Sequence, residues 1–268
     1  AIEIQDPALC GRYTARIITG VKVGPTPNWM KTRLKTIGIR SVNNIVDATN
    51  YAMMELGQPT HAFDNDKLHG KKIIIRNARK GESLISIDAT KCQLKENMLM
   101  ITDANSPVAI AGVMGGLDTE ISGATTNVLL ESAHFAPLSV RTTARNLTIG
   151  SEASYRFERN VDIDSVDAAS QRTAQLIVMV AGGKIAQGVV DAYPAKHSPK
   201  TISMRLERMK KLLGIDIQTS EVMSIFTALG FIPVNNSDTI QCTIPSSRSD
   251  IYREVDLIEE VIRSYGYN

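Results

Sequence analysis

Five short apolar runs, each separated from the next by Gly, Asp, Asn or Pro, constrain the fold of this chain most strongly. Short runs that are rich in Ile, Val and Leu and bounded by turn-forming residues are typical of β-strands. A β-branched run with loose alternation precedes them. The pattern predicts strands of a mixed or antiparallel sheet at residues 12–23, 72–78, 83–90, 97–103, 107–114 and 127–132.

Two segments with helical periodicity lie between the β-branched run at 12–23 and the five apolar runs that start at residue 72. Thr26 is a suitable N-cap for a helix over 26–38. Ser41 is a candidate cap for a second helix over 42–56, which Gly57 stops. The predicted buried face of the second helix consists of Ile45, Thr49, Ala52, Met53 and Leu56.

A change in composition at residues 192–201, where two prolines lie among Lys, His and Ser, predicts a domain boundary. Helical patterns precede it at 137–147 and 165–183. Beyond it, two short helices, a hairpin and an amphipathic helix are predicted at 205–214, 219–230, 231–245 and 252–267. We therefore predict an α+β protein: a sheet domain with flanking helices over 1–198, followed by a small winged-helix-type module over 199–268.

Composition excludes several classes of function. The net charge of +2 argues against a broad polyanion-binding surface, so DNA binding by the second module is not expected. Cys10, Cys92 and Cys242 are far apart and have no zinc-binding spacing, so we expect a reducing compartment, the cytoplasm. No apolar run approaches membrane-spanning length, so no membrane partner is expected. The chain opens at Ala1 in mid-pattern, which suggests a piece of a longer protein.

No motif of a covalent nucleophile, a nucleotide-binding loop or a metalloprotease helix occurs in the chain. The remaining polar features are individually weak, and each has an ordinary structural explanation as a turn, a helix edge, a strand end or a salt-bridged junction. The alternative is a pocket in which glycines let a ligand approach the backbone and a buried carboxylate accepts hydrogen bonds. Both alternatives stay open for Thr49, Asn50, His61 after the Gln58-Pro59 turn, the Gly-rich run 111–116, Glu131 and the segment 151–162.

An acidic cluster lies near the end of the chain. Asp256, Glu259 and Glu260 share one helix face, and Asp250 lies at or before the helix start, where it could cap the helix. The ordinary explanation is a solvated face with Glu259 near Arg263 at the i+4 position. A site for a hard cation is the alternative, because Mg²⁺ takes oxygen ligands.

Taken together and in this order, these segments resemble the β subunit of bacterial phenylalanyl-tRNA synthetase. The resemblance rests on "DATNYAMMELGQPTHAFD", "AGVMGG", "LLESAHFAPLSVRTTAR", "SEASYRFERNVD" and "IPSSRSDIYREVDLIEEVIRSYGY", and it covers nearly the whole chain. Residues up to about 198 resemble the B3/B4 editing module, and those from about 200 onward resemble the B5 module. One departure is Asn160, where the family pattern has Gly, but Asn tolerates left-handed backbone better than most residues.

The resemblance implies a tetramer of two α and two β subunits that attaches phenylalanine to its tRNA with ATP and Mg²⁺, with the synthetic site in the α subunit. It implies that this chain contacts the α subunit and tRNA-Phe and hydrolyses mischarged tyrosyl-tRNA. The implied catalytic residues are Thr49, Asn50, His61 and Glu131, and the implied substrate-binding residues are Pro59, Ala111, Gly112, Gly115, Ser151 and Ala153.

The resemblance also implies a Mg²⁺ site that is shared with the α subunit. We expect the excised chain to bind Mg²⁺ weakly or not at all, because half of the ligands would be missing and Mg²⁺ dehydrates reluctantly. The implied ligands are Asp250, Asp256, Glu259 and Glu260.

Two side chains receive specific hypotheses. His61, as a group that ordinarily titrates near neutral pH, could bond the ester, hold water or act as a base, although a ribose hydroxyl of the substrate could replace it as the base. Glu131 would accept a hydrogen bond from the tyrosine hydroxyl that phenylalanine lacks. The alternative function is a structural and tRNA-contacting scaffold that is inactive when excised.

Overall fold

The computed structural model describes residues 1–266. These residues form two compact units, the first over residues 1–196 and the second beginning at His197. The predicted bounds of 1–198 and 199–268 stay a prediction. No helix in the described part of the chain combines the length and the apolar character needed to cross a membrane.

The first unit contains two sheets, a small hairpin and five α-helices. Its strands are β1 (Ile2–Ile4), β2 (Cys10–Thr19), β3 (Thr60–Asp64), β4 (Ile73–Asn77), β5 (Ser83–Ile85), β6 (Lys91–Gln93), β7 (Leu99–Thr102), β8 (Pro107–Ile110), β9 (Met114–Gly115), β10 (Asn127–Phe135), β11 (Lys184–Ile185) and β12 (Val190–Ala192). Its helices are α1 (Asn28–Thr36), α2 (Asn44–Leu56), α3 (Pro137–Leu147), α4 (Glu152–Phe157) and α5 (Ser165–Ala181).

One sheet has the order β1-β4-β7-β8-β9, with β1 parallel to β4 and the other neighbours antiparallel. The other sheet has the order β11-β2-β10-β3, with β12 also paired to β2, and is antiparallel throughout. The predicted α+β class with mixed and antiparallel sheets is therefore confirmed.

The sheet that contains β10 buries both of its faces, because successive side chains of a strand point to opposite sides. Val128 and Leu130 pack with α2 and α5 in one apolar cluster. Leu129 and Ala133 pack with the other sheet in a second cluster. The first unit thus has three layers, helices, sheet and sheet, and Glu131 lies on the face between the two sheets.

The second unit is a three-stranded antiparallel sheet of order β13-β15-β14 with three helices. The predicted helices and hairpin are present, whereas β13 was not predicted. Residue 267, the last of the predicted final helix, lies outside the described residues. Apolar side chains of the helices and the sheet form one core that includes Met204, Phe226 and Leu257. The elements are β13 (Lys200–Arg205), α6 (Leu206–Leu213), α7 (Thr219–Ala228), β14 (Ile232–Asn236), β15 (Thr239–Ile244) and α8 (Glu254–Tyr265).

Both predicted helix caps of the first unit are wrong. The side chain of Asn43, not that of Ser41, caps α2 by accepting hydrogen bonds from the backbone N–H groups of Ile45 and Val46. Thr26 and Ser41 instead donate their hydroxyl hydrogens to the fully buried carboxylate of Asp47.

The end of α2 agrees with the prediction, and one member of its predicted buried face does not. Gly57 has a left-handed φ of 75° and terminates the helix. Leu56, next to it, is 44% exposed, as part of the exposed end of α2. The other predicted members of the face, Ile45, Thr49, Ala52 and Met53, are buried.

We expect Asn43→Ala to lower the free energy of unfolding by about 1 kcal/mol, the usual cost of losing a helix N-cap. Asn43→Asp is the matched control, because its carboxylate keeps the acceptor and favours the positive end of the helix. Thermal melts of both variants check this prediction. Equal losses in the two variants would contradict the capping role.

Candidate functional site

A cavity of about 280 Å³ opens in the first unit. Its wall is formed by α2, β3, the middle of β10, the β8–β9 connection and α4. Most of the wall is apolar, with side chains that include Val46, Met53, Ile87, Met114 and Phe157. The cavity has the size and the apolar character of a site that could enclose an aromatic side chain.

The structure brings eight of the ten predicted pocket residues to this one cavity: Thr49, Asn50, Pro59, His61, Gly112, Gly115, Glu131 and Ala153. Ala111 and Ser151 do not lie on its wall. Ala111 is a buried core residue. Ser151 is the N-cap of α4, and its hydroxyl donates to the carbonyl of Val113 at 2.7 Å, so it holds α4 against the Gly-rich connection.

His61 and Glu131 are directly opposed in the antiparallel pairing of β3 with β10. Directly opposed residues share a face of the sheet, so both side chains point into the space between the two sheets. The predicted turn at Gln58-Pro59 leads directly into strand β3, which begins at Thr60. No sequence pattern indicated this strand.

His61 is held in surroundings that favour its neutral form. Its Nε2 is buried and has no hydrogen-bond partner within residues 1–266. Its ring stands edge-on to Phe63, with the ring centroids 4.4 Å apart. Burial lowers the pKa of His61 to about 4, so this residue does not titrate near neutral pH as its type suggested.

Glu131 is shifted in the opposite direction. Burial raises the pKa of Glu131 to about 8, and the nearby Tyr13 hydroxyl offsets only part of the rise. The side chain is 5% exposed, and its Oε2 has no hydrogen-bond partner in the described chain. The same is true of the buried hydroxyl of Tyr13, which therefore forms no well-aligned hydrogen bond with the carboxyl. At pH 7 the cavity consequently holds a neutral His61 and a largely protonated Glu131.

The Gly-rich run lets its backbone approach the protein's own side chains closely, and the hypothesised approach of a ligand to this backbone stays a prediction. A Cβ on Gly115 would lie 2.6 Å from Cε1 of His61 and 2.7 Å from Cδ1 of Ile87. Gly112 has a φ of +70°, and a Cβ there would lie 2.9 Å from Val140. Glycine at 115 thus leaves room for the imidazole ring, and glycine at 112 permits the turn between β8 and β9.

Thr49 and Asn50 differ in what they can offer a ligand. The Thr49 hydroxyl already donates to the carbonyl of Val46 at 2.7 Å. The Asn50 side chain makes no hydrogen bond with any described residue, so both its donors and its acceptor are available to the cavity.

Two polar residues of this region were not predicted. Tyr13 pairs with Ala133 and so lies diagonally beside Glu131, which only the strand register reveals. Glu120, on the cavity wall, follows a short 3₁₀ helix and carries no sequence signal.

The acidic cluster of the second unit is an arginine–carboxylate network. Arg248 binds Glu260 at 2.8 Å and Asp250 at 2.6 Å, and Arg263 also pairs with Glu260. Burial alone would raise the pKa of Asp256. The hydrogen bonds that its carboxylate accepts from the backbone N–H groups of Tyr252 and Arg253 oppose this effect, and the pKa is lowered.

The contacts correct one expectation about this cluster. Asp256, rather than Asp250, accepts hydrogen bonds from the N–H groups at the start of α8. Arg263 forms an ion pair with Glu260 and also interacts electrostatically with Glu259. No cluster of three or more His, Cys, Asp or Glu side chains in the described part is arranged to hold a metal ion, and Asp250 and Glu260 are ion-paired with Arg248. The Mg²⁺ site shared with the α subunit stays a prediction.

We expect Gly115→Ala to lower the free energy of unfolding by about 1–3 kcal/mol, because the added methyl group overlaps the His61 ring. Gly123→Ala is the matched control, since a Cβ at Gly123 meets nothing within 4 Å. Denaturant titrations of both variants test the close approach. Equal stability of the two variants would contradict it.

We also expect Glu131→Gln to change how stability depends on pH. The folded chain holds the Glu131 proton up to about pH 8, whereas an unfolded chain releases it near the ordinary value of 4.5. The folded state binds more protons in this window, so this group's contribution to stability is full below the unfolded pKa and is lost as pH rises to about 8. The variant removes that loss, which is worth up to about 5 kcal/mol.

Thermal melts from pH 4.5 to 8.5 should show the Glu131→Gln variant gaining stability relative to the wild type as pH rises. Glu96→Gln, at an exposed glutamate, is the control for a surface carboxylate. His61 works in the other direction, since its lowered pKa makes stability fall as pH drops from 6.5 to about 4. A difference between variant and wild type that does not change with pH would show that Glu131 is not held protonated.

Comparison with known proteins agrees with this architecture. Residues 9–182 match the family model of the B3/4 domain, and residues 202–267 match that of the tRNA synthetase B5 domain. The phenylalanine–tRNA ligase β subunit of Moorella thermoacetica is 46% identical over 267 residues, with 100% of this chain and 33% of that protein covered. That of Rhodopirellula baltica is 47% identical over 268 residues, with 100% and 39% covered.

A solved N-terminal fragment of the phenylalanyl-tRNA synthetase β subunit from Pyrococcus horikoshii matches 99% of this chain and 74% of that chain, with a TM-score of 0.45 and 14% identity, a likeness too distant to carry an argument. The chain spans about a third of the length of the curated relatives it matches. The two matched domains, in this order, together with whole-chain similarity to β subunits, show that the chain belongs to the phenylalanine–tRNA ligase β-subunit family.

Proposed function

We propose that the first unit is the proofreading part of a phenylalanine–tRNA ligase, which hydrolyses the ester of tyrosine wrongly joined to tRNA-Phe. The single observation that carries this proposal is the opposed pair His61 and Glu131, whose unpaired polar atoms are buried beside an otherwise apolar cavity. Buried polar atoms without partners cost free energy, and a ligand that pairs with them recovers it. We propose further that the whole enzyme contains α subunits, uses ATP and Mg²⁺, and has its synthetic site outside this chain.

Selection of tyrosine follows from the same cost. The pocket cannot exclude phenylalanine by size, because phenylalanine is the smaller side chain. A phenol hydroxyl can donate to or accept from the protonated Glu131 carboxyl, whereas phenylalanine leaves that group buried and unpaired. A neutral hydrogen bond contributes about 1 kcal/mol, and an unsatisfied buried group costs about 1–3 kcal/mol. Together these terms suffice for discrimination of about tenfold or more.

The chemical step asks little of the protein, because an aminoacyl ester is already activated. Water must be placed beside the ester carbonyl, and the developing oxyanion must meet a hydrogen-bond donor. Neutral His61 can accept a hydrogen bond from this water or from a ribose hydroxyl, and the free amide of Asn50 can donate to the carbonyl. A pKa of about 4 makes His61 a weak base, which favours a positioning role over general-base catalysis.

The isolated chain should bind tRNA poorly, because affinity for nucleic acid depends on the number of phosphate contacts and the chain is only a third of its relatives' length. Turnover should therefore be slow and should rise with enzyme concentration. The alternative function, a structural and tRNA-contacting scaffold, predicts that no concentration of the chain accelerates ester loss.

We expect Glu131→Ala to slow deacylation of tyrosyl-tRNA-Phe far more than that of phenylalanyl-tRNA-Phe, which lowers the ratio of the two rates about tenfold. Glu131→Gln should keep part of the preference, since its amide oxygen still accepts a hydrogen bond. Single-turnover deacylation with both substrates measures the ratio. Thermal melts separate this effect from a loss of folding, which would slow both substrates together.

The pH dependence of the same ratio provides an internal check. In the wild type, the preference for tyrosine should increase as pH rises through about 8, because the ionised carboxylate is the stronger acceptor. Glu131→Gln should lose this increase, whereas Glu96→Gln should retain it.

An unchanged ratio in Glu131→Ala rules out Glu131 as the selective group. His61→Ala with unchanged rates would rule out a role for His61 in ester hydrolysis.

A further inference from the structure

Glu120 is a wall residue of the cavity that the proposed chemistry does not use. It lies between Thr119 and Ile121, which are both buried, so its backbone is held in place. Its own N–H donates to the carbonyl of Leu117, and its carbonyl accepts a hydrogen bond from Nζ of Lys67 at 3.1 Å. The half-buried carboxylate itself has no hydrogen bond or ion pair with any residue the structure describes.

The other charged residues of the cavity wall do not form an ion pair with Glu120. Among the described residues, no Lys or Arg lines the cavity. Of the three glutamates that do, Glu131 is buried and largely protonated at pH 7. Glu152 is ion-paired with Arg156 at 2.7 Å and is more than half exposed. Glu120 is therefore a wall carboxylate without an ion pair within residues 1–266, since the nearby Lys67 ammonium donates to the Glu120 backbone carbonyl instead. Such a carboxylate favours a cation and repels phosphate.

The substrate of the proposed reaction carries one cation close to the scissile bond. An aminoacyl ester has a free α-ammonium group on the carbon next to the ester carbonyl, whereas its ribose and its ester are neutral. An aromatic side chain that points toward Glu131 leaves the ammonium group nearer the rest of the wall. A carboxylate on that wall would fix the amino-acid backbone while the ring is held elsewhere, and two anchors orient an ester better than one.

We propose that Glu120 forms a subsite for the α-ammonium group of the aminoacyl ester. This assignment rests on the proposed function and adds a second determinant to it: Glu131 recognises the side chain, and Glu120 recognises the free amine. A substrate without the ammonium group gains nothing from Glu120, and this property separates recognition by Glu120 from a merely structural effect.

The test compares two esters of tRNA-Phe on the full 268-residue chain. One carries tyrosine, and the other carries its α-hydroxy analogue, in which a neutral hydroxyl replaces the ammonium group. Under single-turnover conditions, Glu120→Gln should lower kcat/KM for the tyrosyl ester about tenfold or more, the loss expected for one hydrogen bond to a charged group. The same variant should change the rate for the α-hydroxy ester by much less. Glu120→Asp should restore part of the tyrosyl rate, and Glu96→Gln should change neither rate.

The outcomes separate this assignment from the proposed function. Equal slowing of both esters by Glu120→Gln, or no slowing of either, overturns the ammonium subsite while leaving hydrolysis of the tyrosyl ester intact. A wild-type chain that accelerates the loss of neither ester overturns the proposed function and the subsite with it. Thermal melts of each variant show whether a slower reaction comes from a less stable fold.

Discussion

The pairing of β10 with β2 on one side and with β3 on the other determines most of what the first unit can do. Side chains alternate across a strand, so this register sends Val128 and Leu130 to the helices and sends Leu129 and Glu131 to the space between the sheets. A slip of one residue would bury Glu131 among the helices and remove the carboxyl from the cavity. The same register places His61 directly opposite Glu131 and Tyr13 diagonally beside it.

The buried polar groups of the cavity cost the fold free energy, and the same cost is the proposed source of its selectivity. Burial shifts the pKa of His61 down to about 4 and that of Glu131 up to about 8, so both groups lose their charge at neutral pH. Neutral polar groups with unpaired atoms in an apolar enclosure favour a neutral ligand with a matching hydroxyl. The surrounding layers hold this arrangement, with Gly115 giving the imidazole room and Ser151 tying α4 to the Gly-rich connection.

The second unit shows how one set of residues can suggest two kinds of chemistry. Carboxylates at i, i+3 and i+4 share a helix face, whether they meet a cation or an arginine. Here Arg248 bridges Asp250 and Glu260, and hydrogen bonds to these carboxylates raise the pKa of its guanidinium. Spacing within one helix cannot distinguish these two outcomes, because Arg248 approaches from the loop that precedes the helix.

The sequence by itself determined the fold class, the position of α2 with its Gly57 stop, and the helix at 137–147, because these depend on periodicity and turn chemistry within one segment. It also determined the family, since several motifs in a specific order are hard to reproduce by chance, and Asn160 has the left-handed φ of 69° expected where the family has Gly. Through that resemblance it named eight wall residues of the cavity. Only the tertiary structure revealed β3, the place of Tyr13 and the unpaired carboxylate of Glu120, because each depends on which distant segment lies beside it. The protonation states of His61 and Glu131 belong to the same group, since burial between two sheets, not residue type, sets the free energy of their charged forms.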